Sequence, residues 1–313
     1  MKLNIIIPTY NRKDILKKCL KALLDQTFPR SDYEIIVIDD GSKDGTEVMF
    51  KSIINSFSGV LRYFKQDHKG PAAARNVGIK NANGKIILFI GDDIIATPTL
   101  LEEHIKWHGQ HPEDNVAVLG YVTWSPEIKI TPFMRWLENG GPQFHFWQIE
   151  DKVEVDAQNY FYTSNISIKK EFLLKNNEFF DEEFPFPAFE DIELGYRLKQ
   201  RGLKIIYNKD AVGYHYHYTS LTNTCNRMER VGEASIIYSS KVGGSKKILS
   251  SQKTFSAKRF IQKVFYPAAV LISKIIAAIF EKKKSLPMVY SFVLKGYSRK
   301  GAEIAKKRRS LSK

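Results

Sequence analysis

Glu34-Ile35-Ile36-Val37-Ile38-Asp39-Asp40-Gly41-Ser42-Lys43-Asp44-Gly45-Thr46 decides how the chain is read. Residues 34–38 are nearly all β-branched and apolar, with no alternation, the pattern of a short strand covered on both faces. Asp39-Asp40-Gly41-Ser42 then stops the strand in turn-forming residues. Outward from this stretch the same unit recurs. Apolar runs at 3–7, 60–64, 85–90 and 116–119 predict further strands, and two of them end in polar motifs, Pro8-Thr9-Tyr10-Asn11-Arg12 and Gly91-Asp92-Asp93. Between the first two runs, Ile15, Leu16, Cys19, Leu20, Leu23 and Leu24 keep helical spacing over 12–25, with Asn11 the expected N-cap. Pro71 and Pro98 open predicted helices at 71–82 and 98–108. Strand–helix–strand alternation implies an α/β fold with a doubly wound, mostly parallel sheet, whose ligands bind beyond the carboxyl ends of the strands.

From residue 121 the pattern changes. The stretch 121–160 is rich in Trp, Phe, Pro and Gly without a clean period; a strand is predicted over 160–168, a helix over 190–200 and a strand over 203–207. Trp124, Trp136, Phe144, His145 and Trp147 fall in the irregular stretch, as sugar-stacking faces or as core. Composition is that of a globular protein, 43% hydrophobic and 26% charged, and two cysteines leave no disulfide framework. No export signal is read at the N-terminus, so a cytoplasmic location is expected.

The charge is uneven. Of 48 basic and 34 acidic residues, 241–313 holds 19 and two, a net of +17, which leaves 29 against 32, or −3, for the rest. Such a tail seeks an anionic partner. Its helically spaced apolar run at 264–280 contains Lys274 and is shorter than the roughly 20 residues a membrane span needs. With Lys282, Lys283, Lys284 and Lys306-Lys307-Arg308-Arg309 around it, 255–313 reads as lying on an anionic membrane surface. Packing on its own protein or a second copy is the alternative, and no nucleic-acid reading motif accompanies the charge.

Three acidic pairs remain: Asp39-Asp40, Asp92-Asp93 and Glu190-Asp191. Carboxylates gathered at one sheet edge repel each other unless a cation or polar ligand lies among them, and hard divalent ions tend to bridge such oxygens to phosphates. Taken singly, each pair also reads as a turn or a helix start.

Ile-Pro-Thr-Tyr-Asn-Arg (7–12), Val-Ile-Asp-Asp-Gly-Ser-Lys-Asp-Gly-Thr (37–46), Gly-Pro-Ala-Ala-Ala-Arg-Asn-Val-Gly (70–78), Phe-Ile-Gly-Asp-Asp (89–93), Thr-Ser-Asn-Ile-Ser (163–167) and Phe-Glu-Asp-Ile-Glu-Leu-Gly-Tyr-Arg-Leu (189–198) together resemble the family 2 inverting glycosyltransferases of GT-A fold. The resemblance covers about 1–220. It implies a nucleotide-sugar half at 1–120 and an acceptor half at 121–220; 221–313 is read, from its charge and spacing, as a helical basic region. It implies donor-nucleotide contacts from Pro8, Thr9, Tyr10, Arg12, Asp39, Asp40, Arg75 and Asp92, with an ion pair to the Asp39/Asp40 turn as the other reading of Arg75. The family's first DxD acid is Gly91 here, which leaves Asp93 as the expected metal ligand, helped by His215 and His217, for Mn²⁺ or Mg²⁺. Asp191 is the expected general base, with Glu190 the alternative. The implied reaction moves a sugar from a UDP-type donor to a glycan or lipid-linked hydroxyl. A nucleotidyltransferase and an inactive nucleotide-binding relative are the rivals.

Overall fold

A computed structural model describes residues 3–54, 57, 59–243, 268–276, 279–280 and 285–311. The chain divides into two compact units: Met1–Ile128 with Gln148–His217, and Lys129–Trp147 with Tyr218–Lys313.

The first unit is built on one sheet. β1 (Leu3–Thr9), β2 (Tyr33–Asp39), β3 (Leu61–Lys65) and β4 (Ile86–Ile90) run parallel in the order β3-β2-β1-β4. All seven residues of β2 are buried, as an unbroken apolar run requires. α1 (Lys13–Leu24), α2 (Thr46–Ile54) and α3 (Pro71–Asn81) make the crossovers. β5 (Ile94–Ala96), α4 (Leu100–Gln110) and β6 (Val116–Trp124) follow. The sheet continues from β4 through antiparallel β8 (Asn165–Lys169) to β6, then to the 12-residue β9 (Lys204–His215), which pairs parallel with β6 and antiparallel with β5. The fold class is as expected, α/β with a mostly parallel sheet.

Two local expectations fail. Asn11 does not cap α1: its φ is 52°, its side-chain oxygen accepts from Lys43 N at 2.7 Å, and Arg12 occupies the N-cap position. The helix start is satisfied instead by Asp44, whose Oδ2 accepts from Lys13 N at 2.8 Å. The predicted strand over 160–168 is only half strand. After α5 (Pro132–Glu138), β7 (Glu154–Val155) leads to a short helix, α6 (Ala157–Tyr160), capped by Asp156, and β8 begins at Asn165 and runs into α7 (Lys170–Lys175).

β8 carries a buried polar chain. Asn165 Nδ2 donates to the carbonyls of Tyr121 and Ala211 at 3.3 and 2.9 Å, which pins the register shift between Gly120 and Tyr121. Its Oδ1 faces His104 Nε2 at 2.9 Å, His104 Nδ1 faces Ser167 Oγ at 2.8 Å, and Ser167 Oγ faces His108 Nε2 at 2.8 Å. Burial pushes His104 down to about 4 and His108 to about 3, so both are neutral at physiological pH.

In the second unit, α9 (Leu221–Lys241), N-capped by Ser220, lies against the C-terminal helix (Pro287–Leu311). The backbones touch: a Cβ on Gly232 would drive into the Ser298 carbonyl, and one on Gly301 into that of Glu229. Tyr290 of the C-terminal helix is fully buried beside Phe133 and Trp136, at ring distances of 4.9 and 5.2 Å. Among the described residues no helix is long and apolar enough to cross a membrane.

Candidate active site

The acids meet where the sheet predicts, beyond the carboxyl ends of β1, β2 and β4. After β4, the chain places Asp92 and Asp93 opposite the residues that follow β1. Thr9 Oγ1 donates to Asp92 Oδ2 at 2.8 Å. Arg12 spans both carboxylates, Nη1 to Asp92 Oδ1 and Nη2 to Asp93 Oδ2, each at 2.9 Å. Burial raises Asp92 to about 7; Arg12 pulls it down and the neighbouring Asp93 pushes it up. Burial works on Asp93 too, but His215, Arg12 and His217 outweigh it and hold that carboxyl far below the usual range. The pair therefore divides its roles, with Asp93 the firm anion.

His215 arrives at the end of β9, its Nε2 3.0 Å from Asp93 Oδ2, and His217 Nδ1 lies 3.8 Å from the same oxygen. One ligand atom from each of Asp93, His215 and His217 lies within 4.8 Å of the others. A carboxylate with two imidazoles suits a transition metal such as Mn²⁺ better than a Ca²⁺ cage, so the residues present fit a divalent ion. The rings are held in line: Trp124 stacks on His215 at 5.2 Å and 12°, and His215 on His217 at 5.3 Å and 10°. Composition had marked Trp124 without indicating this contact.

Asp39 and Asp40 shape the neighbouring recess. Asp39 closes its turn by accepting from Ser42 N at 2.7 Å and also accepts from Tyr63 Oη. Asp40 gathers the next loop, accepting from Gln66 Nε2, Lys69 N and Gly70 N at 2.7, 2.8 and 2.8 Å and facing His68 Nδ1 at 2.7 Å. Gly70 has φ 94°, which a side chain would resist. Tyr10 stacks on His68, ring centroids 4.0 Å apart. Gly41, Ser42, Lys43, Lys65, Gln66 and Asp67 line a cavity of about 600 Å³, the size of a small-molecule site. A second groove, of about 620 Å³, lies outside α1 and is lined by Lys17, Lys21, Leu24 and Phe57 among others.

Glu190 and Asp191 open α8 (Glu190–Gln200). The residue before them, Phe189, has φ 70°, a left-handed backbone that a non-glycine residue adopts only under tertiary constraint. Arg75 on α3 does not pair with the Asp39/Asp40 turn. Its Nη1 donates to Glu190 Oε1 at 2.8 Å, and both side chains are buried. Arg75 Nε, Glu190 Oε2 and Ser164 Oγ are buried without a hydrogen-bond partner among the described residues. Such half-satisfied polar groups suit a polar ligand. Asp191 is half-buried, its Oδ1 accepting from Ile192 N at 2.8 Å. Burial and then Glu190 raise it to about 7, against the pull of Arg75. That value suits a base working near neutrality.

Phe144, His145, Trp136 and Trp147 belong to the second unit, where Trp136 packs on Tyr290 and Trp147 is exposed. Several of the contacts above escaped sequence reading: Tyr63 and Gln66 carry no motif, and the Glu190 partner of Arg75 is 115 residues away.

Residues 4–180 match the family model for glycosyl transferase family 2. The chain belongs to this family. Among curated relatives, glycosyltransferase AglE of Haloferax volcanii is 24% identical over 220 residues, 68% of this chain and 66% of that protein. The uncharacterized glycosyltransferase YfnE of Bacillus subtilis is 30% identical over 263 residues, 70% of this chain and 66% of that protein. The chain thus spans just under two thirds of either relative. Among solved structures, S. aureus TarS 1–349 with UDP aligns over 99% of this chain and 92% of that one, with TM-score 0.57 and 19% identity. Mannosyltransferase PcManGT of Pyrobaculum calidifontis, with GDP-Man and Mn²⁺, aligns over 97% and 87%, with TM-score 0.62 and 16% identity. These likenesses establish the GT-A fold.

Proposed function

We propose that this family 2 chain transfers a hexosyl group from a nucleoside-diphosphate sugar, a UDP-sugar first, to a hydroxyl of a glycan or lipid-linked acceptor, with inversion. The observation that carries the reading is the meeting of Thr9, Arg12, Asp92, Asp93, His215 and His217 at one strand-end rim, beside the recess organised by Asp39 and Asp40. The TarS complexes with UDP and UDP-GlcNAc support a uridine donor, and the GDP-Man complex of PcManGT widens the choice.

Catalysis is assigned to residues 1–220. Pro8, Thr9, Tyr10, Asp39, Asp40 and Asp92 hold the nucleoside, Tyr10 and His68 offering it an aromatic face. Arg12 answers the charge of the diphosphate; Arg75 acts through Glu190. Asp93, His215 and His217 would hold a divalent ion, Mn²⁺ or Mg²⁺, which when bound supplies Lewis-acid stabilisation of the leaving diphosphate. Asp191 takes the proton of the acceptor hydroxyl. The freed oxygen bonds to the anomeric carbon as the bond to the diphosphate oxygen breaks, and in-line displacement inverts that centre. Glu190, committed to Arg75, tunes the base next to it.

The basic region supplies location in this reading. Leu271, Ile272, Ile275, Ile276, Ile279 and Phe280 are all exposed and recur every four residues, in helical backbone at 268–276 and 279–280. Lys306, Lys307, Arg308 and Arg309 are exposed at the end of the C-terminal helix. An apolar stripe with a basic cluster in the same unit suits an anionic membrane surface, which would place the enzyme peripherally on the cytoplasmic face. Residues 255–267, 277–278, 281–284 and 312–313, Lys282 to Lys284 among them, lie outside the described residues.

Thermal shift with nucleoside diphosphates tests the donor site. UDP with Mn²⁺ is expected to raise the Tm more than either alone; no shift with any nucleoside diphosphate, with or without Mn²⁺, overturns the reading.

A further inference from the structure

Arg12 occupies a position with a consequence for how the site fills. Its Nη2 lies 2.9 Å from Asp93 Oδ2 and 3.4 Å from His217 Nδ1. Two of the three groups gathered for a divalent ion therefore already face a fixed positive charge, and the Asp93 oxygen engaged by Arg12 is the one His215 also meets at 3.0 Å. A guanidinium cannot shed its proton near neutrality, so it leaves the carboxylate only by moving. Position 91 adds no acid beside Asp93: it is glycine, and a Cβ there would sit 2.9 Å from Asp93 Oδ1. A guanidinium and a metal ion sharing Asp93 would be like charges at contact distance. The side chain of Arg12 keeps 30% of its surface open to solvent, which leaves it room to move, and Asp92 keeps its bond from Thr9 without it.

We propose that Arg12 is a built-in stand-in for the divalent ion: it holds Asp92 and Asp93 together in the empty enzyme, yields Asp93 when the ion binds, and is received by the phosphates of the donor. Metal and nucleotide then promote each other's binding. The ion alone must dislodge a guanidinium that has nowhere better to go, whereas a diphosphate gives it an anionic partner. This rests on the sugar-donor reading above and adds the coupling between the two ligands.

The test is Mn²⁺ binding to the full chain, followed by calorimetry and by the loss of free-ion EPR signal, with and without UDP. Wild type is expected to bind Mn²⁺ weakly alone and at least tenfold more tightly with UDP. In Arg12→Gln and Arg12→Ala, Mn²⁺ alone should bind about tenfold more tightly than in wild type, and the gain from UDP should be about tenfold smaller than in wild type, leaving what the ion's own contact with the diphosphate gives. Arg12→Lys, which keeps the charge but cannot span both carboxylates, should fall between. If the variants show wild-type circular dichroism yet bind Mn²⁺ alone no more tightly than wild type, the exchange is overturned while the donor site stands. If all three variants lose the folded spectrum, wild type decides: Mn²⁺ affinity that is the same with and without UDP overturns the exchange. Absence of UDP binding to wild type at saturating Mn²⁺ overturns the donor reading and the exchange together.

Discussion

The two units handle charge in opposite ways. At the strand-end rim, charged groups are sunk into protein and answered one by one: Arg12 by Asp92 and Asp93, Arg75 by Glu190, Asp93 also by His215. In the C-terminal unit the basic groups stand in solvent. Among the described residues Lys300 pairs with Glu229 and Arg308 with Glu233, both acids on α9, at 2.9 and 3.0 Å. Burial makes the difference. Desolvation moves Asp92 and Asp191 to about 7, so they can trade protons near neutrality, and a change at one group is felt by the next. Exposed charges act additively, as a field, and their count matters more than their geometry.

That contrast breaks most severely at Asp191. Asp191→Asn should lower turnover by about 10²–10⁴-fold while leaving the thermal shift with UDP and Mn²⁺ in place. In wild type, turnover should rise with pH as Asp191 deprotonates through about 7. The linked stability has the opposite sign. A carboxyl whose folded pKa is raised loses stability as pH climbs from about 4 to about 7, so Asp191→Asn should be the more stable protein at pH 8 and equal to wild type at pH 4. Unchanged turnover would remove Asp191 as the base.

The additive side is probed by replacing Lys306, Lys307, Arg308 and Arg309 with Gln. At about 1 kcal/mol per basic residue near an anionic surface, affinity for phosphatidylserine vesicles should fall up to about a thousandfold. Ser at Leu271, Ile272, Ile275 and Ile276 should release the protein from the same vesicles at any salt concentration, with turnover on a short soluble acceptor kept. Vesicle binding that survives both sets excludes the membrane surface as the partner.

The smallest effect sharpens the comparison from the packing side. Gly301→Ala forces a methyl group into the Glu229 carbonyl and should cost about 1–3 kcal/mol. The loss, read by hydrogen exchange, should concentrate in α9 and the C-terminal helix, with β1 and β2 unaffected.

The sequence disclosed what local rules control. Buried parallel strands show as unbroken apolar runs, and β1, β2, β4 and β6 stand where those runs lie; β3, which carries Arg62 and is only partly buried, lies at the sheet edge. The acid pairs were legible because turn residues mark the strand ends. What stayed hidden depends on distant partners. The alternation at 160–168 looked like a strand because Phe161, Thr163 and Asn165 are all buried, yet the first two sit in the turn after α6. Asn11 looks like a cap until Asp44, 31 residues beyond the Lys13 amide it satisfies, takes that place. Nothing near Arg75 announces Glu190, and nothing near Trp124 announces His215.

The ring stack from Trp124 through His215 to His217 has one more implication. An indole seated in line with both imidazoles shares their electronic surroundings, so the arrival of a paramagnetic ion beside Asp93 should dim its emission. The protein thereby carries its own optical gauge of occupancy, readable with no label attached.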